Sequence, residues 1–101
     1  METFYALEYQ LNERGLTEYG TWGHAIYRTE DEAKRRMESI YGTVKEGLVD
    51  EYRLEESDLA EESSPVYRNL SAGEDISFCI EVVELREETA GNNLTVPENP
   101  V

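Results

Sequence analysis

The sequence has few of the side chains that form covalent cross-links or bind metal ions. It contains one cysteine, Cys79, and one histidine, His24, among 101 residues. A single thiol excludes a disulfide within the chain and is typical of a reducing compartment, so we expect a cytoplasmic protein. One cysteine and one histidine are also too few for a zinc site built from nitrogen and sulfur ligands.

Long apolar runs and basic residues are equally scarce. No apolar stretch approaches the roughly 20 residues that a membrane-spanning helix requires. The first ten residues include Glu2 and Glu8 and lack the positive start of a secretory signal. The 9 basic residues are opposed by 23 acidic ones, which gives a net charge of −14. We therefore expect no membrane association and no direct binding to nucleic acid, since both surfaces repel such a charge.

The residues that are abundant favour a folded protein of one domain. The apolar fraction is 39%, and seven of the ten aromatic residues are tyrosines. This is enough apolar surface for one modest core in a chain of this size. We predict a single domain over residues 1–88 followed by a flexible tail over residues 89–101, where prolines and asparagines show no periodicity. The tyrosines are expected to leave hydroxyl groups free for a partner.

Alternating apolar residues predict the strands at both ends of the domain. Residues 3–11 follow the period of two of a half-buried strand. Residues 12–23 contain three glycines and predict a long turn whose Trp22 folds back onto the sheet, and residues 24–28 then predict the return arm of a hairpin. Residues 76–85 are apolar on both faces, which predicts either a central strand or a strand with a bulge.

A capping box marks the start of one helix. Thr29 is followed three residues later by Glu32 and then by apolar residues at spacings of three and four. Gly47 is the predicted end, with Gly42 as the alternative. The stretch 48–56 fits both a strand and a helix, and we favour a strand through residue 54.

The remaining segments carry weaker signals. Ser57 predicts the start of a short helical turn over residues 57–62, and residues 66–75 predict a loop or a poor edge strand. The fold class is therefore α+β: a two-layer domain with a three- to four-stranded, mainly antiparallel sheet and one amphipathic helix packed on one face, in the order β-β-α-β-β.

The sequence contains no motif that predicts catalysis, a cofactor or a metal site. His24 reads as a strand histidine with its ring in water, and nothing marks Cys79 as an activated thiolate. Neighbouring carboxylates are expected by chance in a chain this acidic, and no segment matches a phosphate-binding loop or a calcium loop. The basic residues 34–36 lie among acids on the predicted helix, which favours a solvated face over a nucleic-acid site.

The negative charge is concentrated in two segments. Residues 48–64 carry a net charge of −6 and residues 74–88 a net charge of −5. If the last two strands are close to each other, these acids form one patch. The predicted partner-binding residues are Asp50, Glu51, Glu55, Glu56, Asp58, Glu61, Glu62, Glu81, Glu84 and Glu87.

Such a patch favours a non-enzymatic protein that binds a basic partner. The leading hypothesis is an inhibitor that mimics nucleic acid and blocks a nucleic-acid-binding protein. By size and charge it would be analogous to phage anti-defence proteins, anti-CRISPR proteins included. It requires the acids of both segments to share one surface. The alternatives are a regulatory or assembly domain that forms a homodimer or binds a small ligand, a generically acidic domain adapted to salt and, least favoured, an enzyme.

Overall fold

The computed structural model describes residues 3–86, which form one helix layer on one sheet. Glu87 and the predicted tail lie outside the described residues. The elements are β1 (Thr3–Glu13), β2 (Leu16–Thr21), α1 (Glu30–Tyr52), a 3-10 turn η1 (Glu56–Asp58), β3 (Leu59–Ser64), β4 (Tyr67–Ala72) and β5 (Ile76–Arg86).

The five strands form one antiparallel sheet in the order β2-β1-β5-β4-β3. The predicted α+β class, the antiparallel sheet and the single packed helix are confirmed, but the sheet has five strands instead of three or four. The predicted strand over residues 76–85 is confirmed as the central strand β5. Its pairing with β1 is continuous from Thr3 opposite Arg86 to Glu13 opposite Ile76, so the apolar residues on both faces need no bulge.

The first hairpin turns earlier than the sequence predicted. Arg14 and Gly15 have φ angles of 52° and 93°, and two successive positive φ angles are typical of a tight two-residue hairpin turn. The prediction of a long turn over residues 12–23 is therefore wrong. The predicted return arm at residues 24–28 is also wrong, because only Tyr27 forms a bridge there, with Tyr5.

The helix begins where predicted and ends later than predicted. The hydroxyl of Thr29 accepts a 3.2 Å hydrogen bond from the amide of Glu32, which confirms the cap. The helix continues through Gly47 to Tyr52 because Leu48 is buried and extends the apolar stripe. It ends at Arg53, in a left-handed conformation at φ 53°. The predicted strand through residue 54 is wrong.

The segment predicted as a loop or edge strand holds an interior strand. β4 lies between β5 and β3, and Leu70 and Ala72 on it are buried. The prediction failed because the alternate residues of β4 are polar and lie on a sheet face that α1 does not cover. The predicted helical turn at residues 57–62 is limited to η1, after which β3 begins.

The core lies between α1 and one face of the sheet. Leu7, Phe78, Met37, Leu70 and Ile80 are its largest fully buried side chains. Trp22 folds back as predicted and packs edge-on against Tyr9, with ring centroids 4.9 Å apart. Burying these side chains contributes about 1.5 to 3 kcal/mol each to folding.

The opposite face of the sheet is defined by the residues that alternate with the core positions, and we call it the bare face. Its residues are Phe4, Ala6, Glu8, Gln10 and Asn12 on β1; Thr17, Tyr19 and Thr21 on β2; Ser77, Cys79, Glu81, Val83 and Leu85 on β5; Tyr67, Asn69 and Ser71 on β4; and Ala60, Glu62 and Ser64 on β3.

Candidate partner-binding site

The structure distributes the predicted partner-binding residues over several surfaces. Five of them lie together at the C-terminal end of α1 and in the turn that follows it. Of the other four within the described residues, one lies on the helix side of β3, two on the bare face and one on the helix side of β5. These sets are Asp50, Glu51, Glu55, Glu56 and Asp58; then Glu61; then Glu62 and Glu81; then Glu84.

The acids of the two segments therefore do not form one continuous patch. β5 is the centre of the sheet and β3 is its edge, so β4 separates them and the two strands are about 10 Å apart. Glu81 and Glu84 also point to opposite faces of β5, because their positions differ by an odd number. Glu62 and Glu81 share the bare face, and Glu61 and Glu84 share the helix side, but in both cases β4 lies between the two strands. The expected merging of the segments is not observed.

An acidic groove runs between the C-terminal half of α1 and the turn that leads into β3. Its volume is about 360 Å³, and Val49, Leu54 and Leu59 supply its apolar lining. Glu46, Glu55 and Glu56 line it as well, and Gly42 and Lys45 complete the lining set. We call this the acidic groove. It combines apolar surface with acidic side chains, as a site for a basic and partly apolar segment requires.

Sequence reasoning missed Glu46 as a member of this site. The expectation that the helix ended at Gly47 separated Glu46 from the acids that follow. Because the helix continues, Glu46 and Asp50 lie one turn apart on the same face. Residues 46–58 carry six acids and one base, Arg53, a net charge of −5. The helical interpretation of residues 48–56, which the sequence also allowed, would have placed Glu46 beside the acids that follow.

The acids at the end of α1 oppose the helix dipole. Asp50 and Glu51 lie in the last turn, where no basic residue is present. The carbonyl end of a helix carries partial negative charge, so an acid there destabilises the helix by about 0.3 to 1 kcal/mol. Both side chains are exposed. Their position is therefore unfavourable for the isolated fold and favourable for the attraction of a cation.

Carboxylates on the helix side of the sheet are bonded within the fold, mainly by tyrosines. Tyr41 donates to Glu61 at 2.5 Å, and Lys45 donates to the same carboxylate at 2.9 Å. The remaining pairs are Tyr52 with Glu13 at 2.8 Å and Tyr9 with Glu18 at 2.6 Å. The expectation that the tyrosine hydroxyls remain free for a partner is therefore wrong for these three residues, and on the bare face Tyr67 also donates to Glu62, at 3.4 Å.

These hydrogen bonds change the acidity of both partners. Burial, and then the hydrogen bond to Glu61, raise the pKa of Tyr41. The hydrogen bond from Tyr41, followed by that from Lys45, lowers the pKa of Glu61 below 4.5. Because Glu61 is held by a phenol and an ammonium group, it is less available to an external cation than the acids of the groove.

The two residues that were considered for catalysis lie on separate elements. His24 is exposed between β2 and α1, and Cys79 is a half-buried free thiol on the bare face of β5. Within residues 3–86 no hydrogen bond joins their side chains. In the same part of the chain, no group of three or more His, Cys, Asp and Glu residues is arranged to hold a metal ion.

Comparison with models of protein families, with curated proteins and with solved structures returned no match. Among the residues that the structure describes, no helix has both the length and the apolar composition needed to cross a membrane.

Proposed function

We propose that this protein is a non-catalytic module that binds a basic segment of another protein in the acidic groove. The observation that carries the proposal is the apolar lining of Val49, Leu54 and Leu59 among Glu46, Glu55 and Glu56. Lysine and arginine side chains of a partner would contact the carboxylates while an apolar residue between them is buried against the lining. Such complementarity raises the association rate and selects against acidic partners.

The bases near the groove support this assignment because they do not neutralise it. Lys45 lines the groove, but its ammonium group is 2.9 Å from Glu61. Arg53, the one base between residues 46 and 58, makes no ion pair within residues 3–86. The carboxylates of Glu46, Glu55 and Glu56 are likewise without ion pairs in that part of the chain. The groove therefore carries net negative charge toward solvent.

The narrower hypothesis is that the partner is a nucleic-acid-binding protein whose basic surface is blocked. A mimic of a phosphate backbone needs an extended row of negative groups, and Glu81 and Glu84 lie on other surfaces. We therefore propose the broader function, with a basic protein as the partner. Identification of the captured protein will decide whether that partner binds nucleic acid.

Partner capture with matched variants tests the proposal. The immobilised protein is incubated with a lysate of the source cells at low salt and eluted with a salt gradient. We expect a basic protein that the wild type retains to a higher salt concentration than Glu55→Gln combined with Glu56→Gln. Its elution should shift to lower salt when the groove is partly neutralised, since screening weakens exposed charge pairs.

The control removes the same charge from the other end of α1. Asp31→Asn combined with Glu32→Gln lies in the first helical turn, and this variant should elute the partner at the wild-type salt concentration. If both variants lose the partner equally, net charge rather than the groove explains the binding. If the Glu55 and Glu56 variant retains the partner to the wild-type salt concentration, the proposal is wrong.

Self-association is the second candidate, and edge strand β2 favours it. Leu16 and Tyr19 on this strand are 76% and 73% exposed, and an unpaired edge is a template for another strand. Light scattering after size exclusion distinguishes the two functions. A dimer that persists at high salt and dissociates in Tyr19→Lys supports assembly, whereas a monomer at all salt concentrations excludes it.

A further inference from the structure

Two carboxylates lie directly opposite each other in the middle of the bare face. Glu8 on β1 pairs with Glu81 on β5, and both residues are exposed. Directly opposed residues on antiparallel strands have Cβ atoms about 4.5 to 5.5 Å apart, and like charges there are destabilising. Within residues 3–86 neither carboxylate makes a hydrogen bond or an ion pair. On the helix side, in contrast, Glu13, Glu18 and Glu61 each accept a bond from a tyrosine.

A depression of about 350 Å³ lies beside this pair. Glu8 and Glu81 line it together with Gln10, Tyr19 and Cys79. Tyr19 is 73% exposed, so its ring is accessible to a partner. The depression therefore brings two carboxylates, the side-chain amide of Gln10 and an aromatic ring within reach of one group.

We propose that this depression receives an arginine side chain of a partner protein, with the guanidinium group between Glu8 and Glu81 and stacked on Tyr19. A guanidinium group is planar and presents five N–H donors, so it can bond two carboxylates at once and still contact an aromatic face. An ammonium group lacks this planar fork. The depression lies on the other side of the sheet from the acidic groove and does not depend on it.

The composition of the bare face argues against a second copy as the occupant. None of its residues is a lysine, arginine or histidine. In a twofold dimer that uses this face, each copy presents the same patch to the other. The unpaired glutamates of one copy would therefore meet no cation on the other, and both would lose water without compensation. A different protein that supplies the arginine satisfies them.

Titration with a short peptide tests the site directly. The probe is acetyl-glycyl-arginyl-glycine amide, added to the full chain while amide shifts are followed by NMR. We expect saturable shifts at Glu8, Gln10, Tyr19 and Glu81, with no comparable change at Val49 in the acidic groove. The matched peptide with citrulline has a similar shape without the charge and should produce no saturable shift. The lysine peptide should bind at least threefold more weakly.

Variants separate a binding site from a merely acidic surface. Glu81→Gln should weaken the arginine peptide about tenfold, while Asp31→Asn in the first turn of α1, which removes one negative charge outside both sites, leaves its affinity unchanged. Because removal of one carboxylate relieves the opposed pair, Glu81→Gln should also raise the urea midpoint of the free protein. Loss of affinity with a gain of stability excludes misfolding as the cause.

Alkylation of Cys79 by neutral iodoacetamide gives a second measurement, since this thiol lines the depression. The arginine peptide should slow the reaction of the wild type and leave that of Glu81→Gln unchanged. Equal affinities for the arginine and lysine peptides, unchanged binding by Glu81→Gln, or no saturable shift up to the solubility limit of the peptide would each overturn the proposal. None of these outcomes depends on the acidic groove, so this site can fail while the proposed function stands.

Discussion

Tyr41 donates a hydrogen bond of 2.5 Å to Glu61 and so joins the middle of α1 to β3, the edge strand of the sheet. Lys45, one helical turn later, holds the other carboxylate oxygen at 2.9 Å. Most residues of β3 are exposed. Besides its pairing with β4, the packing of Leu59 on the core and side-chain bonds from Tyr67 and Arg68 of β4, these two bonds attach β3 to the rest of the described domain.

Removal of the Tyr41 hydroxyl should loosen that attachment without disturbing the ring. In Tyr41→Phe the aromatic ring remains buried and stacked 6.3 Å from Phe78. We expect the free energy of unfolding to fall by about 1 kcal/mol, the net value of one hydrogen bond. Urea denaturation measures it. Tyr67→Phe is the control, because its hydroxyl lies 3.4 Å from Glu62 in a long, exposed hydrogen bond whose loss should cost less. Equal losses in the two variants would contradict a specific role for Tyr41.

The same carboxylate predicts a dependence of stability on pH. The hydrogen bond from Tyr41 and then that from Lys45 hold the pKa of Glu61 below its ordinary value of 4.5. A lowered pKa in the folded state means that Glu61 stabilises the fold above pH 4.5 and loses this effect as the pH falls through its folded pKa. Protonation of the unpaired acids acts in the opposite direction, because it reduces their mutual repulsion.

Comparison with Glu61→Gln isolates the contribution of Glu61 from that background. At neutral pH the wild type should be the more stable protein, and the difference should shrink as the pH falls below 4.5. Denaturant midpoints measured for both proteins across the acidic range give this difference directly. A difference that is constant with pH would show that the charge of Glu61 does not stabilise the fold.

The parts of the fold that the sequence predicted correctly are those with strong apolar periodicity. β5 has alternating apolar residues on the face that packs against α1, and the start of α1 has a hydroxyl cap of the kind that favours a helix start. In both places the local preference and the packing in the fold agree. Where the two agree, the secondary structure of a segment can be predicted from its sequence.

The elements that the sequence did not predict are those whose position is decided by contacts with the rest of the fold, and not by a local pattern of apolar residues. β2 is exposed along its whole length, so no apolar alternation marks it. The end of α1 was placed at Gly47 because glycine commonly ends helices, but packing of Leu48 outweighs that preference. Arg53 adopts the left-handed conformation that ends the helix. Glycine or asparagine usually occupies this position, so an arginine there does not predict a helix end.

The candidate site could be predicted only in part for the same reason. Five acids at and beside the acidic groove were identified from composition, since they lie within residues 50–58 of the chain. Glu46 joins them only because the helix is longer than predicted. The pairing of Glu8 with Glu81 joins residues far apart in the chain, and their opposition depends on a strand register that a single sequence does not reveal.

The acids in the last turn of α1 give a further prediction about stability. Asp50→Asn removes a negative charge from the carbonyl end of the helix, where it opposes the dipole. We expect the free energy of unfolding to rise by about 0.3 to 1 kcal/mol at low ionic strength. Thermal or urea unfolding at low and high salt measures the change, which should shrink as salt screens the interaction.

The same substitution in the first turn is the matched control. Asp31 lies at the amide end of α1, where a negative charge is favourable. Asp31→Asn should therefore lower the free energy of unfolding by a similar amount. Two changes of the same sign would mean that net charge, not the helix dipole, governs the effect of these acids.

The two glycines inside α1 allow the groove to be tested apart from stability. A Cβ atom added at Gly42 or at Gly47 would meet no other atom within 4 Å. Alanine is favoured over glycine in helices by about 1 kcal/mol, so Gly42→Ala and Gly47→Ala should each raise the free energy of unfolding by about that amount. Circular dichroism during urea unfolding checks this expectation.

Only one of these glycines lines the acidic groove. Gly42 belongs to its lining, whereas Gly47 does not. A methyl group at Gly42 would occupy space that an apolar residue of the partner needs, so Gly42→Ala should weaken partner binding although it stabilises the free protein. Gly47→Ala should stabilise equally and bind like the wild type. A partner that packs into the groove must contact the added methyl group. Unchanged binding by Gly42→Ala would therefore show that the partner binds outside the acidic groove.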